Sequence, residues 1–106
     1  NLVVNGMDAM SAVEERRRLL VIRGRQETRD RAMAATISVQ DSGVGLGGAQ
    51  QARLFDAFYT TKPHGMGMGL AISRSIIESH GGRIWAGPNS PRGAVFRFAI
   101  PAEPTR

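Results

Sequence analysis

The chain has 106 residues, of which 42% are hydrophobic, and a formal net charge of +5 at neutral pH. These values exclude several domains and also a disordered chain, because a single core can form. No Cys is present, which excludes disulfides, zinc–thiolate sites and thiol nucleophiles. There is no apolar run long enough to cross a bilayer and no signal-peptide pattern. We therefore expect one cytoplasmic domain over residues 1–106.

Much of the positive charge lies between Arg16 and Arg31. Such a cluster could bind nucleic acid or an acidic partner. It could equally be the solvated face of a hairpin, partly offset by the neighbouring acids. The segment has no aromatic residue on which bases could stack. We favour the solvated hairpin and expect no nucleic acid partner.

The first half of the chain predicts a helix followed by two strands. Apolar residues recur at helical spacing over residues 1–13, although no capping signal precedes them. We infer that upstream sequence was removed and that the chain is a fragment. Residues 19–25 and 35–41 predict two antiparallel strands, and the polar stretch 26–33 predicts the connection between them.

The second half predicts helices followed by a strand pair. A short helical stretch at about 49–55 and a loop over 56–66 precede a helix at about 67–80, which two glycines end. Strands are predicted at 83–86 and 94–100, with a turn between them. Hairpin-linked strands with one set of helices predict the α+β class. The architecture expected is a two-layer sandwich whose antiparallel or mixed sheet is covered by helices on one face.

A polar stripe follows one side of the first helix. Asn5 lies one turn beyond Asn1, and Asp8 one turn further, so the three side chains project to the same side. Amide oxygens are hard, neutral ligands that suit Mg²⁺ when phosphate supplies the rest. The alternative is the exposed edge of an amphipathic helix. The glycine clusters downstream make us favour the metal.

A carboxylate ends the second predicted strand. Because side chains alternate, Asp41 should continue the inward row of Ile37 and Val39. A buried acid needs a partner, and an adenine amino group would be one. Gly43 and Gly45 would then let the backbone approach a flat ring. The alternative is an ordinary Asp-Ser-Gly turn.

A second glycine cluster leads into the last predicted helix. Gly65, Gly67 and Gly69 would expose backbone N–H groups at a helix N-terminus, which binds phosphate. The spacing fits neither a Walker A loop nor a dinucleotide fingerprint. A glycine-rich hinge is the alternative. Three polar residues lie just upstream, of which the lysine could reach a phosphate: Thr60, Thr61 and Lys62.

Together these motifs resemble the ATP-binding catalytic domain of sensor histidine kinases in the GHKL superfamily (HATPase_c). The similar segments stand in the family's order, as the N box, first glycine box, F box, second glycine box and last box: Asn1–Ala9, Asp41–Leu46, Leu54–Tyr59, Gly65–Leu70 and Gly93–Phe98. The Phe-Tyr-Thr-Thr-Lys run and the short lid are similar to the oxygen- and nitrogen-sensing branch. The implied fold is the Bergerat-type α/β sandwich.

The resemblance implies roles for individual residues. Asn5 would hold Mg²⁺, while Asn1 and Lys62 would act at the phosphates. Asp41 would bind the adenine amino group, and a lid would run from about 60 to 68. The other residues implied in nucleotide binding are Asp8, Gly43, Gly45, Phe58, Thr60, Thr61, Gly65, Gly67, Met68, Gly69 and Leu70.

The implied activity is transfer of the γ-phosphoryl of ATP to a His on a separate dimerisation domain of the same kinase, and then to a response regulator receiver domain. Hydrolytic relatives carry a Glu where this chain has Asn1, and Asn cannot act as a general base. The parent kinase could be membrane-anchored. The alternatives are a truncated, non-catalytic interaction module and another GHKL ATPase.

Two departures from the family pattern lead to further expectations. A Thr usually follows the glycine of the last box, and Ala94 stands there, so its contact with the adenine-binding acid should be missing or made by water. The two strands expected before the N box are also missing. We therefore expect the fragment to be incompetent alone, to bind ATP weakly, and to form a homodimer or domain swap through its strand edge.

Overall fold

The computed structural model describes residues 1–11, 13–14, 16–29, 32–45, 53–56, 69–90 and 92–102. The helices are α1 (Leu2–Met10) and α2 (Gly69–Ser79). The strands are β1 (Leu20–Arg29), β2 (Ala32–Asp41), β3 (Arg83–Pro88) and β4 (Ala94–Ala102). None of the helices in these ranges is long and apolar enough to cross a membrane.

The four strands form one sheet in the order β1-β2-β4-β3, and each neighbouring pair is antiparallel. Helix α1 packs on β2 and β1, whereas α2 packs on β3 and β4. The side-chain amide of Asn1 in α1 donates hydrogen bonds to Gly69 and Ser73 of α2. The start of α1 therefore contacts the first turn of α2, and the predicted α+β class is confirmed.

The core lies between the sheet and the helices, and it includes three consecutive residues at the start of β4. Its buried hydrophobic residues are Met10, Val13, Val39, Ile77, Ala94, Val95 and Phe96. Phe55, in a turn that follows Arg53, packs edge-on against Phe96 with the ring centroids 6.5 Å apart. The rest of the predicted 49–55 helix lies outside the described residues.

Helix α1 ends at Met10, three residues earlier than predicted. Ser11 caps the end, and its hydroxyl donates a 2.7 Å hydrogen bond to the carbonyl of Asp8. Arg18 then donates to the carbonyls of Val13 and Ser11, at 2.8 and 2.9 Å. Side-chain hydrogen bonds thus add to the backbone bond from Ser11 N–H to Asp8 and satisfy carbonyls beyond the end of the helix.

The hairpin of β1 and β2 is longer than predicted. The polar stretch 26–33 was expected to be a connection, but the pairing continues to Arg29 opposite Ala32. The side chains of residues 22–28 are all exposed. The hydrogen bonds of an antiparallel pair satisfy the backbone N–H and C=O groups whatever the side chains are. A strand that is exposed on both faces therefore lacks the alternation of apolar and polar residues by which a sequence predicts a strand.

Helix α2 was predicted at about 67–80, and the described helix is Gly69–Ser79. Ile77 is buried, but Ile76 is 53% exposed, because successive residues point about 100° apart. Gly82 N–H donates to the carbonyl of Ile77 at 3.0 Å, so the glycines end the helix as expected. On the outer side, the adjacent Glu78 carboxylate raises the pKa of Arg74.

Candidate nucleotide site

The carboxylate of Asp41 is the one buried acid among the described residues, with 2% of the residue exposed. It ends the inward row of β2, as strand alternation predicted, two residues after the buried Val39. Its Oδ1 accepts hydrogen bonds from the backbone N–H groups of Gly43, at 2.8 Å, and Ala94, at 3.3 Å. Ala94 has no hydroxyl to add the contact of a Thr, but its backbone N–H still donates to the carboxylate.

The turn between β3 and β4 closes against the end of β2. The side-chain amide of Asn89 donates to the carbonyl of Asp41 at 2.9 Å, and its backbone N–H donates to the carbonyl of Gly93. Gly93 has a φ of +98°, and a Cβ there would lie 1.9 Å from the Asp41 carbonyl oxygen. Only a residue without a side chain fits this approach.

The glycine of the first box that follows Asp41 is needed for helix packing. A Cβ on Gly43 would lie 2.6 Å from the carbonyl oxygen of Ala9 in α1. The sequence suggested that this glycine lets the backbone approach a flat ring, and that stays a prediction; the structure adds that α1 lies at its Cβ position. Gly45 has a φ of +83° and lies beside Gly93, whose carbonyl oxygen is 3.4 Å from where its Cβ would be.

Arg16 reaches this loop from the connection between α1 and β1. Its guanidinium is half-buried and donates through Nη1 to the carbonyl of Ser42 and through Nη2 to that of Gly43, the latter at 3.0 Å. The hydroxyl of Ser42 accepts from Leu19 N–H at 2.8 Å. Arg16 and Asn89 were not predicted as residues of the site, because a hydrogen bond from a side chain to a carbonyl far away in the sequence leaves no spacing pattern.

Helix α1 connects the Asp41 region to the start of α2. At one end, Asn1 Nδ2 donates to the carbonyl of Gly69 at 3.1 Å and to Ser73 Oγ at 3.0 Å. Asn5 lies one turn further and is half-buried. The next residue, Gly6, is buried, and a Cβ there would lie 3.8 Å from Asp41 Oδ2. The helix therefore runs from the start of α2, which Asn1 contacts, to the neighbourhood of Asp41, which Gly6 approaches.

The remaining predicted site residues lie elsewhere on the two helices or outside the described residues. Asp8 is exposed near the end of α1, and Leu70 is half-buried in the first turn of α2. The predicted lid over 60–68 lies outside the described residues, as do Phe58, Thr60, Thr61, Lys62, Gly65, Gly67 and Met68. Within the described ranges, no three residues of the types His, Cys, Asp and Glu are grouped as a metal site.

An open pocket of about 490 Å³ lies on the Arg16 side of the loop, lined also by Gly45, Asn89 and Arg92. Asn1, Asn5 and Asp41 do not line it, but Gly43 and Gly45, which were predicted to shape the base pocket, do. The pocket therefore adjoins the cluster of Asn1, Asn5 and Asp41 through the loop after Asp41. We assign the candidate nucleotide site to that cluster, because it combines a buried carboxylate with amide side chains.

The profile of the family described as "Histidine kinase-, DNA gyrase B-, and HSP90-like ATPase" matches residues 1–104. The chain belongs to this ATPase family. It is 46% identical over 101 residues to the sensor protein TdiS of Thauera aromatica, covering 95% of the chain and 18% of TdiS. It is 45% identical over 102 residues to the sensor protein FixL of Bradyrhizobium diazoefficiens, covering 96% and 19%.

A solved structure of the catalytic domain of the histidine kinase ThkA superposes with a TM-score of 0.69 at 36% identity, covering 94% of this chain and 60% of that one. The chain is thus similar to sensor histidine kinases in both sequence and fold, and the resemblance inferred from its motifs is confirmed. It spans less than a fifth of the length of the two sensor proteins.

Proposed function

We propose that this domain binds Mg²⁺-ATP and presents its γ-phosphoryl to a His on a separate dimerisation domain of the same sensor kinase, from which a response regulator then receives it. The observation that carries the proposal is the buried Asp41 carboxylate, held by backbone N–H groups beside the amide-bearing helix α1. We place this reaction in the cytoplasm. Membership of the ATPase family supports ATP as the bound nucleotide.

Asp41 would recognise adenine through its second carboxylate oxygen. The bonds from Gly43 and Ala94 both end on Oδ1 and fix the plane of the carboxylate. A carboxylate has about four acceptor positions, so Oδ2 can accept the amino group of adenine. Guanine would present a carbonyl oxygen to the same carboxylate, and two acceptors facing each other in a buried site are unfavourable.

The amides of α1 would work at the phosphate end. The two bonds of Asn1 to α2 use only its Nδ2, and its position at the N-terminus of a helix favours anionic groups. Asn5 is half-buried one turn on and offers the hard amide oxygen that Mg²⁺ accepts. The residues therefore fit the metal. When bound, Mg²⁺ neutralises phosphate charge during transfer, while Lys62 and the lid residues would add positive charge and N–H donors.

The chain's own residues would bind and orient the nucleotide and would not activate water. Asn1 stands where a hydrolytic enzyme of the superfamily would need a general base, and an amide cannot accept the proton. This favours transfer to His over the alternative of another GHKL ATPase. The remaining alternative, a truncated interaction module, predicts no nucleotide binding at all.

Calorimetric titration with ATP and GTP tests the adenine assignment. We expect binding of ATP, rejection of GTP, and an affinity for ATP lowered by about 1–3 kcal/mol in Asp41→Asn. Asn keeps an Oδ1 that can accept from Gly43 and Ala94, so the loop should stay folded. Glu27→Gln, which removes an exposed acid of the β1–β2 hairpin, is the matched control and should bind ATP normally. Equal affinities for ATP and GTP would contradict the role of Asp41.

The metal assignment is tested by titrating ATP with Mg²⁺ and with a chelator. Asn5→Ala should remove most of the difference between the two conditions, because an amide ligand is lost while the adenine contact remains. Gln26→Ala removes an exposed amide from the hairpin and should keep the full metal dependence. If Asn5→Ala retains that dependence, Asn5 is only part of the helix edge.

A further inference from the structure

The Ser42–Gly43 peptide group links a cation to the buried acid. Its carbonyl oxygen accepts a hydrogen bond from Nη1 of Arg16, while its N–H donates to Oδ1 of Asp41 at 2.8 Å. The carbonyl and N–H of a trans peptide point in opposite directions from one rigid plane. The orientation of that plane is therefore set from both sides, by Arg16 on one side and by Asp41 on the other.

The second arm of the guanidinium strengthens this arrangement. Arg16 Nη2 donates to the carbonyl of Gly43 at 3.0 Å, so the planar group holds two successive carbonyls. A positive charge on the carbonyl side also polarises the peptide and makes its N–H a stronger donor to the carboxylate. If Arg16 were removed, the peptide could turn and the Oδ1 contact would weaken.

We propose that Arg16 is a positioning residue for adenine recognition, acting through the Ser42–Gly43 peptide to fix the carboxylate of Asp41. This inference rests on the proposed function. Arg16 does not need to touch the nucleotide. Its effect is to keep Oδ1 of Asp41 engaged, so that Oδ2 faces the amino group of the base at a constant angle.

Arg18 provides a matched control. It is two residues away, in the same connection, and its guanidinium also donates to two backbone carbonyls, those of Ser11 and Val13 at the end of α1. The two arginines thus perform the same kind of loop anchoring with the same charge. Only Arg16 contacts the peptide that donates to Asp41.

The first measurement compares ATP with purine riboside triphosphate, which lacks the 6-amino group. Wild-type protein should prefer ATP about 5–10-fold, the value of roughly one hydrogen bond. Arg16→Gln should lose this preference, because its affinity for ATP should fall while its affinity for the purine analogue stays nearly unchanged. The preference of Arg16→Lys should be intermediate. Arg18→Gln should retain the preference. If Arg16→Gln weakens both nucleotides equally, the role is only structural and the proposal is wrong.

The second measurement needs no nucleotide. In the NMR spectrum of the free protein, the Gly43 amide proton should move upfield and exchange faster with solvent in Arg16→Gln than in wild type, but not in Arg18→Gln. An unchanged Gly43 amide would overturn the proposal even if Asp41 binds adenine. A changed amide combined with equal wild-type affinity for both nucleotides would instead overturn the adenine role of Asp41, and the positioning role with it.

Discussion

The two ends of the β1–β2 hairpin have the same backbone pairing and very different surroundings. At the base, Asp41 pairs with Leu20, is 2% exposed, and is bonded by the loop after it and by the β3–β4 turn. At the far end, Glu27 pairs with Ala34 and its side chain lies in solvent. The ladder of hydrogen bonds is continuous between them, so pairing alone does not distinguish a candidate site from an exposed ribbon.

The difference lies in the number of chain segments that converge. Around Asp41, the α1 helix, the Arg16 connection and the β3–β4 turn all approach within contact distance. At the exposed end, the described contacts come from neighbouring strands: β4 pairs with β2 as far as Met33, and Gln26 makes a weak contact to Met33 Sδ at 3.8 Å. A substitution at the base should therefore disturb several segments, and one in the exposed ribbon should disturb very little.

The largest effect is expected from Gly93→Ala. The new Cβ would meet the backbone carbonyl of Asp41 at 1.9 Å, and the φ of +98° is unfavourable for any side chain. We expect a loss of more than about 3 kcal/mol in the free energy of unfolding, measured by urea denaturation. Gly87→Ala, on the adjacent strand, meets no heavy atom within 4 Å and serves as control. Similar midpoints for the two variants would show that the turn can move away from Asp41.

A smaller loss is expected from Asn89→Ala, which removes the donor to the Asp41 carbonyl at 2.9 Å. That carbonyl belongs to a buried residue, so the unfolding free energy should fall by about 1–2 kcal/mol. Gln26→Ala on the exposed ribbon removes an amide of similar size and should change stability by less than about 0.5 kcal/mol. If both variants unfold at the same denaturant concentration, the Asn89 bond contributes nothing to stability. The two ends of the hairpin would then differ less in their sensitivity to substitution than we propose.

The smallest effect is expected from Gly24→Ala in β1. The added Cβ would lie 3.3 Å from Cδ1 of Ile37, the far end of a side chain that can shift. Glycine inside a strand is unfavourable by about 0.5–1 kcal/mol relative to Ala because its unfolded chain is more flexible. We expect the thermal midpoint to stay constant or rise slightly. A fall like that of Gly93→Ala would mean that this part of the hairpin is packed against something that confines Ile37.

The sequence predicted what repeats locally, and it missed what depends on distant partners. The alternation of Ile37, Val39 and Asp41 was enough to place a buried carboxylate at the end of a strand, and the family boxes were recognisable in order. The polar ribbon beyond Arg25 was predicted as a connection because neither of its faces is buried. The packing of Gly43 against α1 was not predicted, because nothing in its local sequence reveals that Ala9 lies at its Cβ position.

The bond from Ala94 to Asp41 comes from the main chain, and this affects how sequence variation at that position should be interpreted. Every amino acid except proline carries the same N–H. Residue 94 can therefore change its side chain during evolution, within the limits of a position that is 3% exposed, without losing the donor. Replacement of a hydroxyl residue by Ala in the last box therefore keeps the main-chain donor to Asp41. A proline at that position would remove it.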